Sequence, residues 1–297
     1  MKKTVFTGAG VAIVTPFTAD NKVNYPVLGD LIDYQIENGT DAIVICGTSG
    51  EGATLTNDEH VETIRFAVEH TAGRVPVVAG TGSNDTDYAV QLSNDAEHCG
   101  ADALLMVTPY YNKTSQEGLI RHYAFINDRV STPIILYNVP SRTGMNILPS
   151  TYLELSKLKN VVGTKEASGN ISSIAKVAAL CGDDLAIYSG NDDEITAIMS
   201  LGGKGVISVL SNVAPKIAHD IASLYLEGKC KESCDMQLKY LDLCNDLFID
   251  VNPIPVKEAL AMMGWNVGEV RMPLAPMPEA KRAQLRATLV RHGLIKE

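Results

Sequence analysis

The sequence predicts an α/β fold, a (β/α)8 TIM barrel with a C-terminal helical appendix. Three observations support this prediction: eight short apolar runs, helical spacing between them, and glycines just past the ends of the helical stretches. Runs that are apolar at every position are typical of parallel strands covered by helices on both faces. Eight strand–helix units fit a closed barrel better than an open doubly wound sheet, which usually has about five or six strands.

The predicted strands and helices alternate along most of the chain. The strands are expected at residues 10–14, 42–46, 75–79, 103–107, 133–137, 161–165, 185–188 and 205–209. The helices are expected at residues 25–38, 58–71, 86–98, 116–129, 149–156, 171–180, 194–200 and 216–226. Gly39, Gly73, Gly100 and Gly182 follow helix ends, where a left-handed residue is favoured.

No strand pattern returns after residue 227. Residues 229–245, 255–263 and 279–291 have helical spacing, and a proline-rich segment separates the first two. We therefore expect two regions. Residues 1–227 would form the barrel that carries the active site, and residues 228–297 a C-terminal helical region.

The composition argues against several classes of partner. With a formal net charge of −10, the surface as a whole repels nucleic acids and anionic membranes. No apolar run approaches the ~20 residues that cross a bilayer. The six cysteines form no C-x-x-C pair, and the histidines do not cluster as metal ligands. We expect free thiols, a cytoplasmic location, and neither a metal nor a cofactor. Cys230 and Cys234 are expected to face the core from one helix.

Lys165 is the leading candidate for catalysis. In a (β/α)8 barrel the reactive side chains lie at the carboxyl ends of the strands, and Lys165 ends the sixth predicted strand. A lysine that is desolvated there loses its proton more easily and can attack a ketone to form a Schiff base. The alternative is a lysine that extends to solvent or pairs with Glu166.

Neighbouring strand ends supply groups that suit this chemistry. The phenol of Tyr137 can pass protons, and the hydroxyls of Thr48 and Tyr111 could extend a relay. The guanidinium of Arg142 can bind a carboxylate with two bonds. Each residue alone also fits a structural interpretation, such as a core tyrosine or a solvated surface arginine.

Five motifs, in chain order, closely resemble the dihydrodipicolinate synthase family of pyruvate-dependent class I aldolases, in the N-acetylneuraminate lyase superfamily. They are CGTSGE at 46–51, VTPYYN at 107–112, LYNVPSRTG at 136–144, KEASG at 165–169 and GVIS at 205–208. The similarity extends over nearly the whole chain.

The resemblance implies a lyase that condenses pyruvate with L-aspartate 4-semialdehyde to give 4-hydroxy-tetrahydrodipicolinate. This is the first committed step of diaminopimelate and lysine biosynthesis. The implied catalytic residues are Lys165 as the Schiff base, Tyr137 as proton donor and acceptor, and Thr48 and Tyr111 as relay members. The implied substrate-binding residues are Ser49, Ile207 and Gly190 for pyruvate, and Arg142 for the carboxylate of the semialdehyde. Ser49 stands where many members have threonine.

The resemblance also implies an oligomer and a regulatory pocket. In the family Tyr111 enters the site of an adjacent subunit, so we expect a homo-oligomer, a dimer of dimers. In lysine-inhibited members the pocket contains an acidic side chain. Here the corresponding residues are Asn84, His60, Tyr110 and Tyr88, and Tyr88 stands where the acidic side chain is expected. We therefore expect weak or absent inhibition by lysine.

Two alternatives to this function remain open from the sequence. The first is another pyruvate aldolase, such as a keto-sugar-acid lyase, which would share Lys165 and Tyr137 but act on a different aldehyde. Arg142 separates the two, because sialic-acid lyases lack an arginine here. The second is a barrel that binds a small acid without catalysis, for which the glycine-rich loops and Arg142 would suffice.

Overall fold

The computed structural model of the protein describes residues 2–296. Its centre is a closed barrel of eight parallel strands in chain order. The strands are β1 Gly8–Ala12, β2 Ala42–Ile45, β3 Val77–Gly80, β4 Ala103–Val107, β5 Ile134–Asn138, β6 Val161–Glu166, β7 Ala186–Ser189 and β8 Gly205–Ser208. β8 pairs with β1 and closes the barrel. The predicted (β/α)8 fold class is confirmed.

Helices surround the barrel and continue beyond it. The helices that alternate with the strands or follow β8 around the barrel are α1 Tyr25–Glu37, α2 Asn57–Thr71, α3 Thr86–His98, α4 Gln116–Asn127, α5 Pro140–Thr143, α6 Pro149–Leu155, α7 Ile171–Cys181, α8 Ile195–Met199 and α9 Pro215–Leu226. The C-terminal region contains α10 Cys230–Lys239, α11 Leu241–Asp246, α12 Ile254–Met262 and α13 Glu279–Arg291. Across residues 2–296, no helix is both long and apolar enough to span a membrane.

The first strand begins two residues earlier than the apolar run predicts, at Gly8 instead of residue 10. Glycine carries no hydrophobic signal, but it is needed here because two backbones lie in close contact. A Cβ atom added to Gly205 would lie 1.8 Å from the carbonyl oxygen of Gly8. The closing pair of strands therefore begins at two glycines, with Gly8 directly opposite Gly205.

The structure corrects three local predictions. The helix expected at residues 229–245 is interrupted at Tyr240, which separates α10 from α11. The short helix α5 lies in a segment that was expected to be a loop. Cys230 and Cys234 were expected to face the core, but both are exposed because their face of α10 is turned to solvent.

Side chains of alternating direction divide the core into two layers. One layer fills the barrel and includes Val44, Leu105 and Ile207, and the other lies between the strands and the surrounding helices. Phe6 stacks on Tyr188 with ring centroids 4.5 Å apart. The Tyr188 hydroxyl donates to the Phe6 carbonyl at 2.7 Å, so this contact closes the amino-terminal end of the barrel. The opposite end is left for the site.

A buried ion pair joins the C-terminal region to the loop after β2. Lys257 Nζ lies 3.0 Å from Glu51 Oε1, and the two side chains are 3% and 1% exposed. Lys257 also donates to the Glu269 carbonyl at 2.8 Å, and the Arg271 amide donates to Glu51 Oε2 at 2.8 Å. A buried charge is tolerated only when it is paired and hydrogen-bonded, so these contacts depend on one another.

We predict that Lys257→Met destabilises the protein by about 3–5 kcal/mol, because it leaves the Glu51 carboxylate buried without a counter-ion. Urea unfolding monitored by circular dichroism measures the loss. Lys157→Met is the matched control, since Lys157 forms a surface pair with Glu154 and its removal should cost about 1 kcal/mol or less. Equal losses in the two variants would contradict the prediction.

Candidate active site

The pairing of β5 with β6 brings the two leading candidates together. Tyr137 lies directly opposite Lys165 in the parallel register, and both side chains point into the barrel mouth. Lys165 is only 5% exposed, and its Nζ lies 4.5 Å from the centroid of the Tyr137 ring. Lys165 forms no ion pair with Glu166 in the described chain, because successive residues of a strand face opposite sides.

A cavity of about 150 Å³ contains the Lys165 amine. Six residues predicted from the sequence line it: Thr48, Ser49, Tyr137, Arg142, Lys165 and Gly190. A larger cleft of about 920 Å³ shares part of this lining. The cavity is the size of a small substrate, and the cleft gives it a route to solvent.

Thr48 and Ser49 lie on the tight loop between β2 and α2. The loop begins and ends with left-handed residues, with φ of 56° at Cys46 and 53° at Glu51. Thr15 Oγ1 donates to the Gly50 carbonyl at 2.6 Å, and the Glu51 carboxylate is held as described above. These contacts hold the loop in place, and its residues Thr48 and Ser49 line the cavity.

Arg142 is carried by α5, immediately after β5. The helix starts at Pro140, where a proline costs no hydrogen bond, and is capped after Thr143 by Gly144, which has a φ of 68°. Arg142 is exposed, and its Nη2 lies 3.5 Å from the Asn252 carbonyl oxygen. It has no carboxylate partner among residues 2–296, so the guanidinium is available to an anion.

Gly190 follows β7 and packs directly against the stem of Lys165. A Cβ atom at this position would lie 2.7 Å from Ala167 Cβ and 3.2 Å from Lys165 Cε. The position favours glycine because a side chain would collide with Ala167 and crowd the lysine stem. Gly190 thus contributes space and backbone to the cavity.

Behind the site, Asn138 and Glu166 form a second direct pair in the same register. Asn138 Nδ2 donates to both carboxylate oxygens of Glu166 at 3.0 and 3.1 Å. The Tyr152 hydroxyl donates to Glu166 Oε2 at 2.8 Å, and the Ser168 amide donates to Oε1 at 2.9 Å. This network fixes β5 against β6 one residue beyond Tyr137 and Lys165, and burial raises the pKa of Glu166.

Two of the predicted site residues do not line the cavity. Tyr111 is 93% exposed, has a φ of 60°, and borders only the larger cleft. Ile207 is fully buried within β8, inside the barrel. Within residues 2–296 no hydrogen bond joins the Tyr137 hydroxyl to Thr48 or Tyr111, so a single chain does not form the expected relay.

The residues of the predicted regulatory pocket lie at or near the larger cleft. His60, Tyr88 and Tyr110 line it. Asn84 is exposed and donates through Nδ2 to the Tyr110 carbonyl at 3.1 Å. His60 is buried with Nε2 2.8 Å from the Gly80 carbonyl, and burial lowers its pKa, so this histidine is neutral at pH 7.

Two lining residues from outside the barrel were not predicted from the sequence. Phe248 and Asn252 belong to the C-terminal region and line the small cavity. Asn252 is followed by Pro253, a pattern that indicates a turn but gives no sign of a site. A contact between segments 203 residues apart, such as that from Asn252 to Ser49, has no local signal in the sequence.

A closed (β/α)8 barrel with a buried lysine beside a tyrosine at its mouth defines the class I aldolase type of site. Comparisons with known proteins identify the family within this class. The sequence model of the Dihydrodipicolinate synthetase family matches residues 5–292, and the chain belongs to this family.

Individual relatives agree over the full length of the chain. The 4-hydroxy-tetrahydrodipicolinate synthase of Caldicellulosiruptor saccharolyticus is 55% identical over 294 residues, covering 99% of both chains. The crystal structure of dihydrodipicolinate synthase from Aquifex aeolicus has a TM-score of 0.96 and 42% identity, covering 98% of this chain and 100% of that one. A crystal structure of the Cyanidioschyzon merolae enzyme with lysine bound has a TM-score of 0.95 and 38% identity, covering 99% and 100%.

We predict that Glu166→Gln changes the pH dependence of stability. The pKa of Glu166 is raised above its usual value of 4.5, so the folded protein holds this proton more tightly than the unfolded chain. The contribution of this group to stability is therefore complete below about pH 4.5 and is lost as the pH rises through the raised pKa. As the pH rises through this range, the stability of Glu166→Gln relative to the wild type should increase.

Urea unfolding of both proteins at a series of pH values measures the difference. Tyr152→Phe is the control, because it removes a hydrogen bond to the carboxylate but keeps the titrating group. It should be less stable than the wild type and still show the pH-dependent loss. Parallel pH profiles for the wild type and Glu166→Gln would show that the carboxyl group titrates alike in the folded and unfolded chains.

Proposed function

We infer that the protein condenses pyruvate with L-aspartate 4-semialdehyde to give 4-hydroxy-tetrahydrodipicolinate, the first committed step of diaminopimelate and lysine biosynthesis. It is a lyase of the dihydrodipicolinate synthase family, and its full-length relatives carry the name of this activity. The observation that carries the mechanism is the buried Lys165 amine beside Tyr137 in a cavity the size of a small keto acid.

We propose that the Lys165 amine attacks the ketone carbon of pyruvate. Loss of water gives an iminium ion, which withdraws electrons from the neighbouring methyl group. Removal of a methyl proton then gives an enamine, and its carbon attacks the aldehyde carbon of the second substrate. The amino group of that substrate next attacks the imine carbon, which closes the ring and releases Lys165. No external electron donor or acceptor is needed in this sequence.

The proposed roles of the other residues follow their positions. Tyr137 donates and accepts protons at the imine, because its phenol ring lies directly against the amine. Ser49 and the backbone near Gly190 bind the carboxylate of pyruvate, with Ile207 behind them. Arg142 binds the carboxylate of the semialdehyde, since its guanidinium is exposed at the cavity rim.

We propose that the protein is a homo-oligomer, a dimer of dimers, in which Tyr111 completes the relay with Thr48 and Tyr137 of an adjacent subunit. Two observations support this proposal. The Tyr111 ring is almost fully exposed, and its backbone has a left-handed conformation that is unfavourable for a tyrosine. Strained residues of this kind are concentrated at functional sites.

We propose a cytoplasmic location. Support comes from the cysteines, because all six thiols are free and Cys230 and Cys234 are exposed. Exposed thiols next to one another on a helix are typical of a reducing compartment.

Borohydride trapping tests the mechanism. Reduction in the presence of pyruvate should add a stable mass to Lys165, because it converts the imine into an amine that cannot hydrolyse. Peptide mass spectrometry locates the adduct. Lys165→Ala should abolish labelling, whereas Lys113→Ala, which removes a lysine of the larger cleft, should leave Lys165 labelled. Labelling at another lysine would refute the proposed role.

We also predict weak or absent inhibition by lysine, although the Cyanidioschyzon merolae relative has lysine bound. An ammonium group in the cleft would need a carboxylate, and the Glu51 carboxylate there is already paired with Lys257. Initial rates measured against lysine concentration test this prediction. Tyr88→Glu supplies the absent carboxylate and should increase inhibition, and a sub-millimolar inhibition constant for the wild type would contradict the prediction.

A further inference from the structure

Asn252 lies between Ser49 and Arg142, which are proposed to bind the carboxylates of the two substrates. Asn252 itself belongs to the C-terminal region. It is 5% exposed and lines both the small cavity and the larger cleft. Its side chain contacts Ser49, and its main-chain carbonyl oxygen contacts Arg142. The two ends of this residue therefore face the two proposed carboxylate subsites.

The contact with Ser49 determines what the serine hydroxyl can do. Asn252 Nδ2 donates to Ser49 Oγ at 3.0 Å, whereas the distance from Ser49 Oγ to Asn252 Oδ1 is 3.5 Å. A hydroxyl has one proton and can accept through its lone pairs. When the oxygen accepts from the asparagine amide, its proton remains free to donate into the cavity.

The serine itself provides little restraint. Serine is not branched at Cβ, so its χ1 is less restrained than that of a β-branched residue such as threonine. At Ser49 an external partner is needed to hold one orientation. Asn252 is suited to this task because it is buried and lies two residues before α12, whose Lys257 is paired with Glu51 in the same loop as Ser49.

We propose that Asn252 is a positioning residue for the pyruvate subsite. Its side-chain amide holds the Ser49 hydroxyl so that the proton is directed to the carboxylate of pyruvate. The inference rests on the proposed function, and it assigns part of the active site to residues after the last strand of the barrel. The side chain serves pyruvate, and only the backbone of Asn252 faces the aldehyde subsite.

The test separates these two subsites with one substitution. Asn252→Ala removes the side-chain donor but keeps the carbonyl oxygen near Arg142. We expect the pyruvate concentration that gives half-maximal borohydride trapping to rise about tenfold. The KM for L-aspartate 4-semialdehyde and the maximal extent of trapping should not change.

A double-mutant cycle identifies Ser49 as the group through which Asn252 acts. Ser49→Ala alone should also raise the half-maximal pyruvate concentration, and adding Asn252→Ala to it should give no further rise. Asn252→Asp provides a second variant of the same size. Aspartate accepts the serine proton and adds a negative charge, so it should weaken pyruvate binding more than alanine does. Thermal unfolding confirms that each variant is folded.

Three results would overturn the proposal: an unchanged half-maximal pyruvate concentration in both Asn252 variants, an equal rise for both substrates, or additive effects in the cycle. Failure of the proposed function gives a different result: either wild-type Lys165 is not trapped at any pyruvate concentration, or it is trapped but the protein does not consume L-aspartate 4-semialdehyde. Normal trapping of the wild type with unchanged variants would reject only the role of Asn252.

Discussion

In-register pairing of β5 and β6 places the phenol of Tyr137 against the amine of Lys165, and the site depends on this pairing. If one strand shifted by one residue against the other, its side chain would turn out of the barrel and the pair would be separated, because strand residues alternate in direction. The next pair in the register, Asn138 and Glu166, opposes such a shift through hydrogen bonds between the same two strands. The hydrogen bonds of one buried carboxylate thus help to hold the alignment of the neighbouring pair, Tyr137 and Lys165.

The C-terminal region completes the barrel mouth from outside the repeating strand–helix pattern. Lys257 and Arg271 bind Glu51, and Asn252 binds Ser49, so two points of one short loop are tied to the chain after β8. The loop contains left-handed residues and has little regular structure to hold it. Its geometry therefore depends on contacts with residues of the C-terminal region. At this end the barrel and the C-terminal region form a single structure.

The sequence was a good guide wherever the signal is local. The bounds of β4, α3 and α13 agree with the predicted ones, and Lys165 and Tyr137 were correctly assigned to adjacent strand ends. Contacts between distant segments gave no such signal. Asn252 reaches Ser49 across 203 residues, and nothing near it in the sequence indicates that contact.

Other differences have equally physical causes. Glu166 was considered as a partner for Lys165 because the two are adjacent in sequence, but adjacency in a strand separates them onto opposite faces. The exposed ring of Tyr111 has no partner within one described chain, and a single sequence does not contain the geometry of an assembly. A pattern of apolar residues also does not reveal Gly8 or Gly205, whose role is to let two backbones approach closely.

The tight packing of Gly190 against the Lys165 stem has a consequence for redesigning this enzyme. Substitutions intended to change the aldehyde substrate can be made on the Arg142 side of the barrel mouth, which is open to solvent. The floor of the cavity offers no such freedom, since even one added methyl group would collide with Ala167 and crowd the lysine. Under the proposed assignment of the subsites, the donor subsite therefore has no spare volume, whereas the acceptor subsite lies at a solvent-exposed rim that tolerates substitution.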